Sequence, residues 1–203
     1  MSIPELARNL RRFDPVTAQL EGAGAHDRKL SQLEECYASR DEYLAALQQG
    51  DPVVYRVSSL EEASGDGDLH LGLGLLMPGK IGAEYYLTRG HLHAWREAAE
   101  IYIGLSGEGL MLLETEDGTD QAVPITTESI VYVPGLTAHR TVNTGSTPLT
   151  YLGIYSARAG HDYSTVARNN FRQVVVEVDG RPTVVQRTTW LESQRTRAGS
   201  VDR

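Results

Sequence analysis

The sequence predicts a mainly β protein, a barrel or jelly roll of antiparallel strands preceded by an N-terminal helical segment. After Gly50 the spacing of apolar residues changes from three and four to two, which is the period of a strand. Short β-branched or aromatic runs then follow one another, separated by glycine, proline and aspartate, and the chain contains 20 glycines. Asp117-Gly118 and Asp179-Gly180 lie between such runs and predict hairpin turns between antiparallel strands.

The chain is expected to form one domain with three segments. The stretch LSQLEECYASRDEYLAALQQG has helical apolar spacing and stops at a glycine, so residues 1–50 are predicted to form a helical arm. Residues 51–186 are predicted to form the β-barrel. Residues 187–203 are polar and are expected to fray as a tail. A chain of 203 residues is long enough to bury a substantial core, and no repeat or linker marks a second domain.

Composition excludes several classes of partner. The net charge is −8, so the field of the protein repels nucleic acid and anionic membranes on average. A phosphorylated substrate would need a locally positive site, which a bound metal ion could supply. The single cysteine, Cys36, permits no intramolecular disulfide. The sequence contains no apolar run of signal-peptide or transmembrane length, so the expected location is the cytoplasm.

The run LHLGLGLLM, residues 69–77, has two unequal faces. Its odd positions form a continuous apolar face, whereas its even positions include Gly72 and Gly74. Glycine weakens the interior of a strand unless something must approach the backbone closely. A ligand cavity over this face and a bend in the barrel explain the pattern equally well.

The stretch RGHLHAWREAAEIY predicts a metal site. Residues i and i+2 of a strand point the same way, so His91 and His93 present two imidazoles on one face. Glu100 begins the next strand-like run, where a hairpin could bring its carboxylate to the same side, and His139 follows a Pro-Gly turn. Three imidazoles and one carboxylate suit Fe(II), Mn, Ni or Zn, with positions left open for a substrate. The alternative is a solvated pair of histidines.

These segments resemble the two motifs of the cupin superfamily. The matching residues are His91, His93, Glu100 and Gly107 in the first motif and Pro134, His139 and Asn143 in the second. Six residues separate the second histidine from the glutamate, where many cupins have three or four. This gap, the preceding threonine-x-glycine and the tyrosine two residues after the glutamate are similar to the cupin-type glucose-6-phosphate isomerases known from archaea. The segments GDPVVYRV, PGKIGAEYYLTRGHLH, AEIYIGLSGEGLMLL, IVYVPGLTAHRTVNTG and AGHDYSTVARNNF resemble that family in order and spacing, over roughly residues 28–186.

The resemblance implies interconversion of glucose 6-phosphate and fructose 6-phosphate, a step of glycolysis and gluconeogenesis. It implies one divalent metal ion per subunit, with Fe(II) first and Mn, Ni or Zn as alternatives, in a homodimer. The implied metal ligands are His91, His93, Glu100 and His139. The ion would polarise the oxygens on C1 and C2 as a Lewis acid, and Glu100 is expected to act also as the base in a proton transfer.

Further site residues follow from strand parity and from the resemblance. Tyr102 shares the face of Glu100, because the two are two residues apart. His161, in the AGHDY segment, is expected to serve ring opening as an acid or base. The implied catalytic residues are Glu100, Tyr102 and His161, and the implied substrate-binding residues are Tyr55, Thr88, Gly90, Tyr155 and Tyr163.

Two positions need a special explanation. Simple alternation puts Thr88 and Gly90 on the face opposite His91, so their role requires a bulge near the glycine or contacts through the backbone. The family often has a phosphate-contacting threonine at the position of Gly74. The glycine found here departs from that pattern, which bears on the phosphate affinity and on the identity of the sugar.

Three alternative functions remain. They are an isomerase of another sugar phosphate such as mannose 6-phosphate, an iron-dependent cupin dioxygenase, and a binding cupin without catalysis.

Overall fold

The computed structural model describes residues 10–62 and 64–201, without the side chains of residues 197–201. The strands are β1 (Phe13–Asp14), β2 (Gln19–Leu20), β3 (Gly24–Lys29), β4 (Val53–Leu60), β5 (Leu69–Leu76), β6 (Lys80–Ile81), β7 (Glu84–Tyr85), β8 (Glu100–Ser106), β9 (Glu108–Thr115), β10 (Asp120–Thr126), β11 (Ile130–Val133), β12 (Thr137–Asn143), β13 (Leu149–Ser156), β14 (Gln173–Val178) and β15 (Arg181–Gln186). The α-helices are α1 (Arg40–Gln49), α2 (Ser164–Asn169) and α3 (Arg187–Val201), and two 3-10 turns cover Leu30–Gln32 and Glu34–Cys36.

The strands confirm the predicted mainly β, antiparallel fold. The largest sheet has six strands in the order β11-β8-β13-β5-β4-β3, and a second sheet has the order β10-β9-β12. A third sheet, of order β15-β14-β7-β6, and the β1-β2 hairpin complete the described part. Both Asp-Gly hairpins are present, joining β9 to β10 and β14 to β15. In the second of them Asp179 and Gly180 both have positive φ, of 50° and 72°, as a type I′ turn requires.

The six-stranded and three-stranded sheets share one apolar core. Tyr55 and Leu76 of the larger sheet belong to the same buried cluster as Met111 and Val142 of the smaller one. The two sheets therefore face each other, as the layers of a jelly roll do. Burial of this apolar area supplies the main favourable term in folding.

The predicted helical arm over residues 1–50 is correct for α1 and wrong for the strands that precede it. Residues 1–9 lie outside the described part of the chain, and β3 pairs with β4 at the edge of the largest sheet. The buried residues Leu30, Leu33 and Cys36 recur every three positions, which fits the 3-10 turns found there. The spacing of three was thus a sign of 3-10 turns, and the continuous helix begins only after them.

The predicted frayed tail over residues 187–203 is wrong as far as α3 extends. Trp190 is buried against Val174 and Val176 of β14, which anchors the first turns of the helix. The side chain of Arg187 donates to the carbonyl oxygen of Phe171 at 2.8 Å. One aromatic anchor in a polar segment gives little periodic signal, so the sequence pattern did not predict this helix.

Among the helices of the described residues, none has the length and apolar character needed to cross a bilayer.

Candidate metal centre

A cavity of about 420 Å³ lies against the inner face of the six-stranded sheet. The floor of the cavity includes Gly72, Gly74 and Gly153, from β5 and β13. Because side chains alternate along β5, Gly72 and Gly74 both face the cavity and contribute no side chain to it. Of the two explanations for the glycines of LHLGLGLLM, the structure supports the ligand cavity.

The four predicted metal ligands lie together at one end of this cavity. One ligand atom from each of His91, His93, Glu100 and His139 can be chosen so that all four lie within 4.8 Å of one another. His91 and His139 form a β-bridge, which places their imidazoles side by side with ring centroids 4.3 Å apart. Glu100 opens β8 in the six-stranded sheet, so its carboxylate meets the imidazoles from the opposite wall rather than from a paired hairpin strand.

The hydrogen bonds around the imidazoles test whether a cation fits here. Nδ1 of His93 lies 2.9 Å from the carbonyl oxygen of Ala98, and Nδ1 of His139 lies 3.2 Å from that of Thr137. A carbonyl oxygen only accepts, so each Nδ1 must carry a proton. In a neutral ring, Nε2 then carries a lone pair, yet both Nε2 atoms face the same oxygen, Oε2 of Glu100, at 3.2 Å and 3.1 Å.

The Nε2 lone pairs of His93 and His139 would repel the carboxylate of Glu100 that they face. The arrangement therefore requires either protons on these nitrogens or a metal ion between them and the carboxylate. Nε2 of His91 is also buried, and it has no hydrogen-bond partner. Burial lowers the pKa of His91 far below its usual value, and the neighbouring imidazoles add to the shift, so this ring is neutral near pH 7. A neutral imidazole nitrogen without a partner is a suitable ligand, and the residues therefore fit a divalent cation.

Glu100 and its neighbours form a buried electrostatic unit. Burial alone would raise the pKa of Glu100, but its close contacts with the imidazoles of His139 and His93 outweigh burial and hold that pKa below its usual range. Burial raises the pKa of Tyr102, as does donation of its hydroxyl to Glu100. Glu100 is thus a carboxylate and Tyr102 a neutral phenol.

The six-residue gap after His93 has a structural use. Main-chain hydrogen bonds join its flanks to the AGHDY segment, from Leu92 N to Asp162 O at 3.1 Å and from Trp95 N to Ala159 O at 2.9 Å. Within the gap, the guanidinium of Arg96 donates to the carboxylate of Asp162 at 2.6 Å. The longer gap therefore holds the AGHDY segment over the cluster of three histidines and Glu100.

The AGHDY segment brings two predicted residues to the mouth of the cavity. The ring of His161 lies 4.5 Å from that of His91 and stacks on Tyr163 at 5.9 Å, measured between ring centroids. Burial lowers the pKa of His161. The hydroxyl of Tyr155 donates to Oε1 of Glu61 at 2.9 Å, and both residues line the cavity.

The bulge required near Gly90 is present. A regular ladder would continue the bridge of Leu87 with Val142 into a pair between Gly90 and His139, but His139 pairs with His91 instead. One extra residue is thus inserted, and Gly90 has a φ of 75°. The insertion lets Thr88, Gly90 and His91 all line the cavity.

A buried arginine supports the bulge from below. Arg140 is 1% exposed, and its guanidinium donates to the carbonyl oxygen of Arg89 at 2.6 Å and to Oδ1 of Asn170 at 3.0 Å. The same group lies 4.5 Å from the ring centroid of Phe171. Arg140 therefore ties the backbone next to Gly90 to the segment that follows α2.

The structure also brings residues to the cavity that sequence patterns missed. Arg28 of β3 lines the mouth together with Arg89 and Tyr163. Burial raises the pKa of Tyr163, and the positive charges of Arg28 and Arg89 oppose that rise. Two cationic side chains thus lie at the mouth, of which Arg89 is paired with Glu35 at 2.5 Å. No sequence signal identified Arg28, since β3 itself was not predicted.

All predicted site residues except His93 line the cavity, and His93 stands behind it as part of the metal cluster. Glu61 and Thr141 are further lining residues that the sequence analysis did not predict. Glu61 adds a second carboxylate to the cavity besides that of Glu100. No sequence motif identified Glu61.

Comparison with known proteins adds independent findings. A family model described as glucose-6-phosphate isomerase matches residues 27–191. A curated glucose-6-phosphate isomerase of Pyrococcus horikoshii is 42% identical over 179 residues, which cover 88% of this chain and 95% of the relative. A putative glucose-6-phosphate isomerase 1 of Rhizobium meliloti is 37% identical over 166 residues, covering 81% and 77%. A solved structure of oxalate oxidase overlaps 56% of each chain, with a TM-score of 0.47 and 15% identity.

Proposed function

The chain belongs to the glucose-6-phosphate isomerase family, and from this premise we propose that it interconverts glucose 6-phosphate and fructose 6-phosphate with one bound divalent metal ion. The proposed metal ligands are His91, His93, Glu100 and His139. The observation that carries the proposal is the convergence of these four groups at the end of a cavity of about 420 Å³. Fe(II) is the proposed ion, with Mn, Ni and Zn as alternatives that the same donors accept.

The bound ion would supply Lewis-acid polarisation of the oxygens on C1 and C2 of the sugar. Glu100 is proposed to carry a proton between C2 and C1, while a hydroxyl proton moves between the two oxygens. Its atom Oε1 faces the glycine floor, since a Cβ added at Gly153 would lie 2.6 Å from it. One carboxylate oxygen thus faces the imidazoles and the other faces the substrate space. Tyr102 is proposed to steady this carboxylate by donating its hydroxyl.

We propose that His161 opens the sugar ring as an acid or base, with Tyr155 and Tyr163 contacting the sugar. The positions of these residues support the proposed roles, since His161 and Tyr163 lie next to His91 at the mouth of the cavity. The lowered pKa of His161 favours the neutral ring, which can accept a proton at one nitrogen and donate from the other.

A positioning role follows for Arg96. Replacing Arg96 by alanine removes the ion pair with Asp162 and is expected to lower kcat by roughly ten-fold, because His161 is then held less precisely. Steady-state kinetics and a metal titration test this expectation. The kinetics are measured at saturating metal, because Arg96 also donates to the carbonyl oxygen of His93 and its loss is expected to weaken metal binding as well. Arg40→Ala, which breaks the exposed pair with Glu34, is the matched control. An unchanged kcat in Arg96→Ala would refute the positioning role.

The phosphate group is proposed to bind between Tyr55, Thr88 and the backbone of Gly90. The bulge supports this placement, because it brings the two latter residues to the cavity beside His91. The positive charges of Arg28 and Arg89 at the mouth would attract a dianionic phosphate. Arg28, whose guanidinium has no carboxylate partner among the ion pairs of the described residues, is the cation proposed to contribute most to this attraction.

Further assignments remain proposals. We propose a homodimer, supported by the exposed apolar side chains of Ile101, Ile130 and Tyr132 on β8 and the edge strand β11. The proposed place is the cytoplasm, where the reaction serves glycolysis and gluconeogenesis, because phosphorylated sugars are handled there. The assignment of the central β-barrel to residues 51–186, with β3 added at the edge of its largest sheet, is likewise a proposal. No nucleic-acid or membrane partner is proposed.

An assay of substrate choice tests the proposed reaction. The purified, metal-loaded protein is given fructose 6-phosphate, mannose 6-phosphate and unphosphorylated fructose in parallel, with an oxygen electrode in each vessel. Formation of glucose 6-phosphate from fructose 6-phosphate without oxygen uptake is the expected result. Faster conversion of mannose 6-phosphate would show that mannose 6-phosphate is the preferred substrate. Oxygen uptake without isomerisation would contradict the isomerase and indicate a dioxygenase.

A further inference from the structure

The three glycines on the cavity floor differ in what stands over them. A Cβ added at Gly74 would lie 2.5 Å from ring atoms of Tyr151, and one added at Gly153 would lie 2.6 Å from Oε1 of Glu100. Both glycines are therefore required by side chains of the protein. A Cβ added at Gly72 would meet only Cε1 of Tyr155, at 3.7 Å, which is an ordinary van der Waals contact.

The backbone does not require a glycine at position 72 either. Gly72 lies inside β5, is paired on both sides, and has a φ outside the left-handed region. Glycine in the interior of a strand costs stability, because it leaves more freedom to the unfolded chain and packs no side chain. An alanine at this position would therefore be tolerated by the fold and is expected to stabilise it.

The space over Gly72 is continuous with the reactive end of the cavity. Gly72 pairs with Ser59 on one side and with Gly153 on the other, and Gly153 pairs with Tyr102. All four residues line the cavity. Neighbouring strands are about 4.8 Å apart, so the two adjacent glycines form a furrow roughly 10 Å wide that has no side chains of its own. Oε1 of Glu100 stands over the Gly153 end of this furrow, and the Gly72 end is open. The furrow leads to Tyr102 and to the carboxylate of Glu100.

We infer that Gly72 is a specificity-determining residue, which keeps this furrow open so that the carbon chain of the substrate lies directly against the backbone of β5. The inference rests on the proposed function, since it assumes a sugar phosphate as the occupant. No protein atom comes closer than 3.7 Å to the position of a Cβ at Gly72, so the missing side chain leaves room for a ligand. A side chain here would shorten the cavity without touching the metal ligands.

Gly72→Ala and Gly72→Val test the inference. Each added group in a fitted pocket changes recognition by roughly ten-fold or more, so we expect KM for fructose 6-phosphate to rise about ten-fold in the alanine variant and further in the valine variant. The midpoint of thermal unfolding is expected to stay unchanged or rise, and the affinity for Mn(II) to stay unchanged. Gly74→Ala is a comparison variant on the same, cavity-facing side of β5. Its added methyl group would collide with Tyr151, so it is expected to lower the unfolding temperature. Leu71→Val, on the outward face of the same strand, is the matched control with unchanged KM.

A direct binding measurement separates this inference from the proposed function. Calorimetric titration of the Mn(II)-loaded protein with 6-phosphogluconate, an open-chain sugar-acid phosphate, is expected to show weaker binding in both Gly72 variants than in the wild type. Equal affinity and equal KM in wild type and variants would overturn the inference while leaving the isomerase intact. A large fall in unfolding temperature in Gly72→Ala would also overturn it, by showing a structural need for the glycine. Absence of both turnover and binding in the wild type would sink the proposed function, and the inference with it.

Discussion

Replacing Glu100 by glutamine is expected to lower kcat/KM for fructose 6-phosphate by roughly 10³-fold or more. The change removes the single negative charge among three imidazoles, and it also removes the group proposed to carry the proton. An amide of the same shape keeps the packing against Gly153, so the fold is expected to persist. Initial rates in a coupled assay and the metal content of the purified variant measure the two effects.

The matched control for this change is Glu97→Gln, three residues earlier in the gap, where the side chain is exposed. It is expected to keep wild-type activity and metal content. If Glu100→Gln kept more than about a tenth of the wild-type activity, Glu100 could not be both a ligand and the base, and the proposed proton route would fail.

Replacing Arg140 by methionine is expected to lower the free energy of unfolding by about 3 kcal/mol or more. The variant leaves the buried carbonyl oxygen of Arg89 without its arginine donor and removes the cation–π contact with Phe171. It also removes one of the two donors to Oδ1 of Asn170, which keeps the main-chain N–H of Phe171. The Nε atom of Arg140 has no partner in the native protein, so its loss offsets a small part of this cost. Equilibrium unfolding in urea measures the difference.

Arg172→Met is the matched control for this substitution. The side chain of Arg172 is 43% exposed and lies 3.8 Å from the carboxylate of Glu114, which is 13% exposed. That carboxylate keeps its hydrogen bond from the main-chain N–H of Arg172, so the loss of this long pair is expected to cost about 1 kcal/mol at most. An equal loss of stability in both variants would contradict the role of Arg140 as the support of the bulge. The Arg140 variant is also expected to raise KM, because the backbone at Gly90 loses its support.

Much of the metal centre could be predicted from the sequence, because its signals are local. His91 and His93 share a face through strand parity, and the bulge at Gly90 followed from the mismatch between parity and the expected role of Thr88. The distance between Glu100 and the imidazoles is a long-range property. The family resemblance supplied it, and the structure explains it by two sheets that face each other.

The residues that escaped prediction depend on partners far away in the chain. Arg28 reaches the cavity only because β3 pairs with β4, and its own segment has no apolar alternation. Arg140 follows the proposed metal ligand His139 in β12, where every residue is buried, so parity could not place it on a solvent face. Trp190 fixes α3 through a contact with β14 that no local pattern encodes.

The most direct test of the proposed function is metal restoration. Protein stripped with a chelator is titrated with Fe(II) under anaerobic conditions, and the formation of glucose 6-phosphate from fructose 6-phosphate is followed together with the amount of bound iron. Activity that is absent at the start and reaches its plateau at one ion per chain is the predicted result. Full activity in protein shown to contain no metal, or binding of one ion per chain without any turnover, would contradict it.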